Sequence, residues 1–394
     1  MSEKVTTLRL TAFDTLFFRE SRPFESIGGS ELASVFPPPP RTVLGAVRAA
    51  IGDAMGVNWQ TFKENQAVRD VIGYGDDLGK LSLNGIWLSR RLKDGKHERL
   101  YPVPLYLLRK QEGEDPVEFE RLRIDKPTCT HLGNVRLPAL PDKKYGFKPL
   151  ENHWVTAGGL AKILAGASAL TKDELISNKE LFEREPRLGI ARNNETRIVQ
   201  EGLLYQSSHI RPKVELSLEV ELTGVPDAIL NQQVLRLGAE GRMAGLEIID
   251  TPKDSGLPAV PKPTTDTKGL IITFLTPARF ADGSWVLPGF TESNSETKCW
   301  TGEIKGIALK LHAAVIGKAQ REGGWDMAQR KPRDMQSFIP AGSSYYVELA
   351  DQKQLNAAIQ TLHGLRIGED PRLGRGLIVC GLWNTQEFMQ EENA

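Results

Sequence analysis

The sharpest pattern along the chain is the alternation from Val214 to Leu222, where Val214, Leu216, Leu218, Val220 and Leu222 interleave with Glu215, Ser217, Glu219 and Glu221. A period of two predicts a strand with one buried face and one wet face. Val5 to Phe18 is rich in β-branched and aromatic residues, with Thr6, Leu8, Leu10 and Ala12 at one parity, and predicts an opening strand. A polar stretch, Arg19 to Ser34, leads to Phe36-Pro37-Pro38-Pro39-Pro40, whose prolines lack the amide donors of a helix interior or a central strand. Val43, Leu44, Ala46, Val47, Ala50, Ile51, Ala54 and Met55 then recur at helical spacing, with Thr42 the expected N-cap and Gly56 the expected stop.

Leu81 to Arg91 and Leu100 to Leu108 predict short strands joined as a hairpin by Asp94-Gly95. From Arg109 to about Arg197 the pattern is irregular, with short helical stretches at Gly158 to Leu170 and Asp173 to Phe182, and predicts long insertions. Downstream the spacing predicts a helix (Asp227 to Leu237), a strand (Leu246 to Ile249), a Pro-rich linker (Pro252 to Pro263) and a strand (Leu270 to Leu275). A helix (Lys305 to Ala319), a strand (Tyr345 to Leu349), a helix (Gln354 to His363) and a last apolar strand (Leu377 to Trp383) complete it. This interleaving fits an α+β protein with a split β-α-β topology used twice, ferredoxin-like in each half, with the halves at residues 1–200 and 201–394.

At 394 residues the chain is long enough for two domains. Lys plus Arg is 50 and Asp plus Glu is 50, which excludes coating nucleic acid by bulk positive charge and leaves room for a local basic groove. The three cysteines, Cys129, Cys299 and Cys380, are too far apart for a Cys-x-x-Cys clamp and too few for a disulfide framework, so a reducing cytoplasm is expected. Met1 to Thr7 lacks an apolar signal core, and no run of about 18 apolar residues occurs, so neither secretion nor a membrane span is expected.

No catalytic signature surrounds the histidines at 97, 131, 153, 209, 312 and 363. Tyr74-Gly75-Asp76-Asp77 reproduces the paired-aspartate turn of palm polymerases, but two-metal chemistry needs a further carboxylate, and the nearest candidate strand offers only Asp14. The same residues suit a surface turn, and no metal or cofactor is expected. Two glycine clusters, Gly238 to Gly245 and Gly368 to Gly381, match neither a P-loop nor Gly-x-Gly-x-x-Gly. Beside Arg242, Arg372 and Arg375, their small residues admit close backbone approach while guanidinium forks reach phosphate, or they form tight turns with solvated arginines. Arg187, Arg192, Asn193, Asn194 and Arg197 supply further donors, with Tyr205 and His209 following where a base can stack, as a solvated loop would also allow.

Several segments together resemble the RAMP proteins of CRISPR effector complexes, and among them subunit three of the type III-B (Cmr) complex. They are Phe13 to Phe24, Val35 to Arg48, Gly79-Lys80-Leu81 with Tyr101 to Pro104, Arg187 to Asn194, Glu201 to Tyr205, Ile339 to Ser343 and Gly368 to Gly376, and their order along the chain carries the resemblance. The resemblance implies two ferredoxin-like, RRM-like domains that hold the 5′ tag of a CRISPR RNA and dock on a large polymerase-like subunit. A neighbouring RAMP backbone subunit and, indirectly, target RNA are the other implied partners. Such chains are similar in fold to RNA-processing RAMP enzymes and are generally not catalytic. Ala239 and Arg375 depart from the family pattern, which prefers glycine and an aromatic there.

The expected RNA contacts are Arg41, Arg48, Arg187, Arg192, Asn193, Asn194, Arg242 and Arg375. The competing reading is a metal-independent endoribonuclease with His209 or His312 as acid or base, and a third is a magnesium-dependent nucleotidyl enzyme using Asp76 and Asp77. Pro23-Phe24 and Phe36 to Pro40 are candidate subunit contacts or buried loop packing.

Overall fold

The alternating segment becomes the middle of a sheet from Leu216 onward, while Val214 stands outside the strand and is 80% exposed. In the computed structural model, which describes residues 4–20, 31–109, 117–131, 133–141, 146–193, 195–250, 256–293 and 295–384, the strand Leu216–Thr223 pairs with Val5–Ala12 on one side and Ser82–Arg91 on the other. All of its residues are buried. Leu216, Leu218, Val220 and Leu222 join the core under the helix Pro40–Ala54, together with Leu8, Leu10, Val43, Val47 and Ile51. The face expected to be wet is a buried polar face instead. Glu219 accepts from Arg99 Nη2 at 3.1 Å and Ser89 Oγ at 2.8 Å, while Glu221 meets Arg99 Nη1 at 2.9 Å and Trp87 Nε1 at 3.2 Å. Paired and hydrogen-bonded carboxylates can enter an interior that lone ones cannot.

This first sheet is antiparallel throughout and runs Leu175–Ser177, His153–Thr156, His97–Pro102, Ser82–Arg91, Leu216–Thr223, Val5–Ala12, Met243–Ile249, Val234–Arg236. The second runs Thr291–Glu292, Trp300–Ile304, Ile307–Val315, Ser344–Leu349, Thr267–Phe274, Ile378–Asn384, also antiparallel. In each, four adjacent strands numbered along the chain stand in the order 4-1-3-2: 243–249, 5–12, 216–223, 82–91 in the first, and 378–384, 267–274, 344–349, 307–315 in the second. The first set keeps its helix between strands 1 and 2, Pro40–Ala54, and has a short 3₁₀ turn, Asp227–Asn231, between strands 3 and 4. The second reverses this, with the helix Leu355–Leu362 between strands 3 and 4.

Several elements differ from expectation. Lys305 to Ala319 is no helix: Lys305 and Gly306 turn with positive φ, and Ile307, Leu309 and Leu311 are buried while Ala308 and Lys310 are exposed, a strand written in helix-favouring residues. Asp227 to Leu237 divides into the 3₁₀ turn and the strand Val234–Arg236. Asp173 to Phe182 is interrupted because Thr171 with Glu174 and Ser177 with Glu180 form successive capping boxes, each starting a single turn. The helix at Gly158 is Ala157–Leu164, capped by Thr156. Leu100 to Leu108 divides into His97–Pro102 and Leu107–Arg109. Helix Pro40–Ala54 starts two residues before Thr42, since proline at the first helical position gives up an amide that would have no partner there.

A third core joins the sheets: Trp87, Tyr101, Leu160, Ile163 and Leu164 pack with Ile271, Tyr346, Val379 and Trp383. Arg121 ties the same seam, donating to the carbonyls of Ile163 and Leu382 at 2.9 and 3.1 Å. The expected division at 200/201 falls inside the strand Val199–Pro212, and Leu216–Thr223 and Met243–Ile249 complete the first sheet. Of the candidate segments, Pro23-Phe24, Asn194 and residues 252–255 of the Pro-rich linker lie outside the described residues.

Candidate nucleic-acid interface

Three segments distant in sequence meet at Asp14. The stretch after the first strand, Phe13 to Phe18, is pinned by reciprocal backbone hydrogen bonds between Leu16 and Ile210, both 2.8 Å. Ile210 belongs to a long hairpin, Phe182–Arg192 paired with Val199–Pro212, in which Glu183 faces Arg211, Glu185 faces His209 and Arg187 faces Ser207. Residues at alternate positions share a face, so Glu185, Arg187, His209 and Arg211 all address the Asp14 segment. The third contributor is the glycine loop. Gly238 has φ +91°, and a Cβ there would stand 2.5 Å from the Phe17 carbonyl oxygen, which accepts the Ala239 amide at 2.8 Å. That close approach sets Glu240 and Arg242 beside the hairpin.

Asp14 Oδ1 accepts from Arg211 Nη1 at 3.0 Å, and Oδ2 faces Arg242 Nη1 at 3.1 Å and Arg187 Nη2 at 3.5 Å. Glu185 holds Arg187 at 2.7 Å and also pairs with Arg211. Glu240 lies 3.7 Å from Arg242 and 3.2 Å from His209 Nε2. The Thr15 amide holds the Asp14 carboxyl below its ordinary pKa; desolvation opposes it, and Arg211 and Arg187 add to the lowering. The cluster is charge-balanced, with Arg187, Arg211 and Arg242 against Asp14, Glu185 and Glu240, yet each guanidinium carries five donors and keeps part of its surface in solvent. Its guanidinium forks converge on one oxyanion, the Asp14 carboxylate. Phe13, next to Asp14, is 64% exposed, and Leu188, Ile190 and Ile198 stand out from the hairpin.

His209 serves this seat from below. It is fully buried, stacked on Phe17 with ring centroids 4.7 Å apart, and its Nδ1 meets Thr15 Oγ1 at 3.2 Å. Burial lowers its pKa, with Glu240 opposing. It is not positioned to stack on an incoming base. His312 is buried too, with Nε2 2.8 Å from Glu348, whose carboxyl that contact holds below its ordinary value.

Arg41 and Arg48 lie two turns apart on one helix and bind the Tyr74–Leu81 turn. Arg41 Nη1 meets Asp76 Oδ1 at 2.7 Å, and Arg48 donates to the carbonyls of Gly75 and Asp77. Arg372 adds bonds to the carbonyls of Gly79 and Leu81 at 2.6 and 2.8 Å. The paired aspartates are spent here: Asp76 also takes Arg333 at 2.7 Å, Asp77 accepts the Gly79 amide at 3.0 Å, and Asp14 lies in the arginine cluster described above. Among the described residues, no group of three His, Cys, Asp or Glu is placed to hold a metal ion.

Arg375 is sealed in, 2% exposed, paired with Glu322 and lying 3.8 Å over the Phe338 ring. It holds the loop together and presents no fork to the surface. Asn193 accepts the amides of Glu195 and Thr196 at 2.9 and 3.0 Å and so shapes the hairpin tip, and Arg192 ends its first strand. Arg187 and Arg242 are thus brought together, Arg41 and Arg48 form a second group, and Arg375 stands apart. Sequence reasoning missed Arg211 and the organising role of Asp14. The signal was the complementary pairing of Glu183 and Glu185 with His209 and Arg211, visible only once the hairpin register is known.

A family model described as CRISPR-associated protein (Cas_Cmr3) matches residues 8–383. The chain belongs to the Cmr3 family. That family places it among the subunits of type III-B CRISPR effector complexes. Among solved structures, the chain is similar to one in a type III-B Cmr-beta complex bound to cognate target RNA and AMPPnP, with 15% identity, a TM-score of 0.45, and 87% of this chain and 86% of that one covered. It is also similar to a chain in a Csm3-Csm4 subcomplex of the type III-A interference complex, with 10% identity, a TM-score of 0.37, and 88% and 95% covered. No curated protein sequence matches.

Proposed function

We propose that this Cmr3-family chain is a non-catalytic RNA-binding and assembly subunit that holds the 5′ tag of the CRISPR RNA in its effector complex and docks the large polymerase-like subunit. The observation that carries the RNA reading is the convergence of Arg187, Arg211 and Arg242 on Asp14 from a hairpin and a glycine loop far apart in sequence. Guanidinium forks held in one place suit a backbone phosphate, and the exposed Phe13 beside them suits a base. In this reading Arg41, Arg48 and Asn193 are further contacts, while Arg192 and Asn194 enter on sequence alone. Each half is a ferredoxin-like domain in this reading, which the 4-1-3-2 order of both sheets supports. The remaining faces meet the large subunit and a neighbouring RAMP backbone subunit, with target RNA reached through the guide.

The test is a titration of the chain alone, and then with the large subunit, against tagged and untagged CRISPR RNA at two salt concentrations. Tag-dependent binding strengthened by the partner is the expected result. Equal or absent binding in both states overturns the tag-reading role and leaves a structural connector. The endoribonuclease alternative predicts cleavage of repeat RNA in EDTA that is lost in His209→Ala. Intact RNA is expected, since both candidate histidines are buried, His209 against Glu240 and His312 against Glu348.

A further inference from the structure

The paired strands Gln320–Glu322 and Gln336–Phe338 carry a smaller hairpin at their end, in which Trp325–Asp326 pairs with Lys331–Pro332. Three large apolar side chains stand at the surface here: Trp325 is 56% exposed, Met327 80% and Met335 44%. The exposed charged residues of the same stretch are Arg321, Arg330, Lys331 and Asp334, three cations to one anion.

The hairpin is rigidly held. Asp326 is buried, accepts the amides of Ala328 and Gln329 at 2.9 Å each, and pairs with Arg333 at 2.8 Å. Arg333 also reaches Asp76 Oδ1 at 2.7 Å, the same oxygen that takes Arg41 at 2.7 Å, and a Cβ on Gly75 would stand 3.4 Å from the Ala328 Cβ. Asp76 therefore tethers this apolar, cationic hairpin directly beside the Arg41 and Arg48 group, and the tetrapeptide that imitates a polymerase turn is its mooring.

We propose that the hairpin is a stacking platform for an unpaired RNA base, with Trp325 giving the ring face and Arg330 and Lys331 the backbone contacts. The proposal rests on the RNA-binding reading above and adds a second contact region to it. The net positive surface argues for a polyanion, and its continuity with Arg41 argues for the same strand. A large exposed indole argues for an unpaired base, since a duplex hides the faces on which an aromatic ring stacks.

Ultraviolet crosslinking of the full chain to a single-stranded RNA, followed by mapping of the crosslinked peptide, reads the contact directly, and affinities of Trp325→Ala and Trp325→Phe read its strength. The expected result is a crosslink within residues 325–335, a loss of roughly 5- to 150-fold for Trp325→Ala, and near wild-type binding for Trp325→Phe. Thermal melts establish that both variants fold. Unchanged affinity and no crosslink in the hairpin, with Arg187→Ala and Arg242→Ala still impaired, overturns the platform and leaves the RNA-binding reading standing. Unchanged RNA affinity with loss of a protein subunit from the assembled complex reassigns the hairpin to protein docking. Absence of RNA binding by the wild-type chain, alone and in complex, overturns both.

Discussion

The loops Gly238-Ala239-Glu240-Gly241-Arg242 and Leu373-Gly374-Arg375-Gly376 share a grammar of glycine beside arginine, and the fold uses their arginines in opposite ways. In each, a glycine admits another backbone: Gly238 beside the Phe17 carbonyl, and Gly376, with φ +71°, where a Cβ would stand 2.0 Å from the Ile367 carbonyl oxygen. What differs is the carboxylate that waits for the guanidinium. Arg242 meets Asp14, whose side chain is 48% exposed, while the Arg375 side chain, 1% exposed, is closed over Glu322. Small residues around an arginine report that the chain comes close to something, and only the fold decides whether the fork faces water or the interior.

The largest effect that separates the two belongs to Arg375. Arg375→Met leaves Glu322 buried without its charge partner, keeping only the Gln320 Nε2 hydrogen bond at 2.8 Å, and is expected to cost about 3–5 kcal/mol of folding stability, read as a lowered urea midpoint. Arg242→Ala is expected to cost less than about 1 kcal/mol, because its pairs are partly in solvent. Equal losses for the two variants break the comparison.

A smaller, pH-dependent effect separates the interior of the second sheet from the Asp14 seat. His363 Nε2–H donates to the Pro258 carbonyl at 3.0 Å, and Nδ1 accepts the Cys380 amide at 3.4 Å, an arrangement that suits the neutral ring. Burial lowers its pKa, so as pH falls through the ordinary histidine value of about 6.5 the unfolded chain takes up a proton that the folded chain refuses. Stability is expected to drop by up to about 1.4 kcal/mol per pH unit until the folded group itself titrates, and His363→Gln is expected to flatten that slope. His209, lowered by burial but facing Glu240, is expected to contribute less. Thermal melts between pH 7.5 and 5 measure both, and a larger flattening from His209→Gln contradicts the ranking.

Much of this architecture is legible in the chain. The opening strand, the helix after the prolines, the Asp94-Gly95 hairpin and the closing strand follow from period and turn chemistry. The errors have physical sources. Ile307–Val315 carries Ala, Leu and Lys, residues that favour helix when isolated, while its pairing partners impose a strand. Glu219 and Glu221 look like a solvated face until Arg99, 120 residues or more away, supplies their charge partner. The exchange of helices between the two sheets, one kept after the first strand and the other after the third, is invisible to composition because Asp227–Asn231 carries helical spacing too short to persist. At the site, Arg187 and Arg242 were readable from residue type, whereas Arg211 and Asp14 depend on a hairpin register and a loop approach that exist only in the fold.

The central claim, that the Asp14 seat holds RNA phosphate, is tested most directly by the salt dependence of CRISPR RNA binding for the wild type, Arg187→Ala and Arg242→Ala. Each substitution is expected to weaken binding and to lower the slope of log affinity against log salt by about one unit, with Arg375→Met, measured per folded molecule, keeping the wild-type slope. Slopes and affinities unchanged in both surface variants contradict the claim.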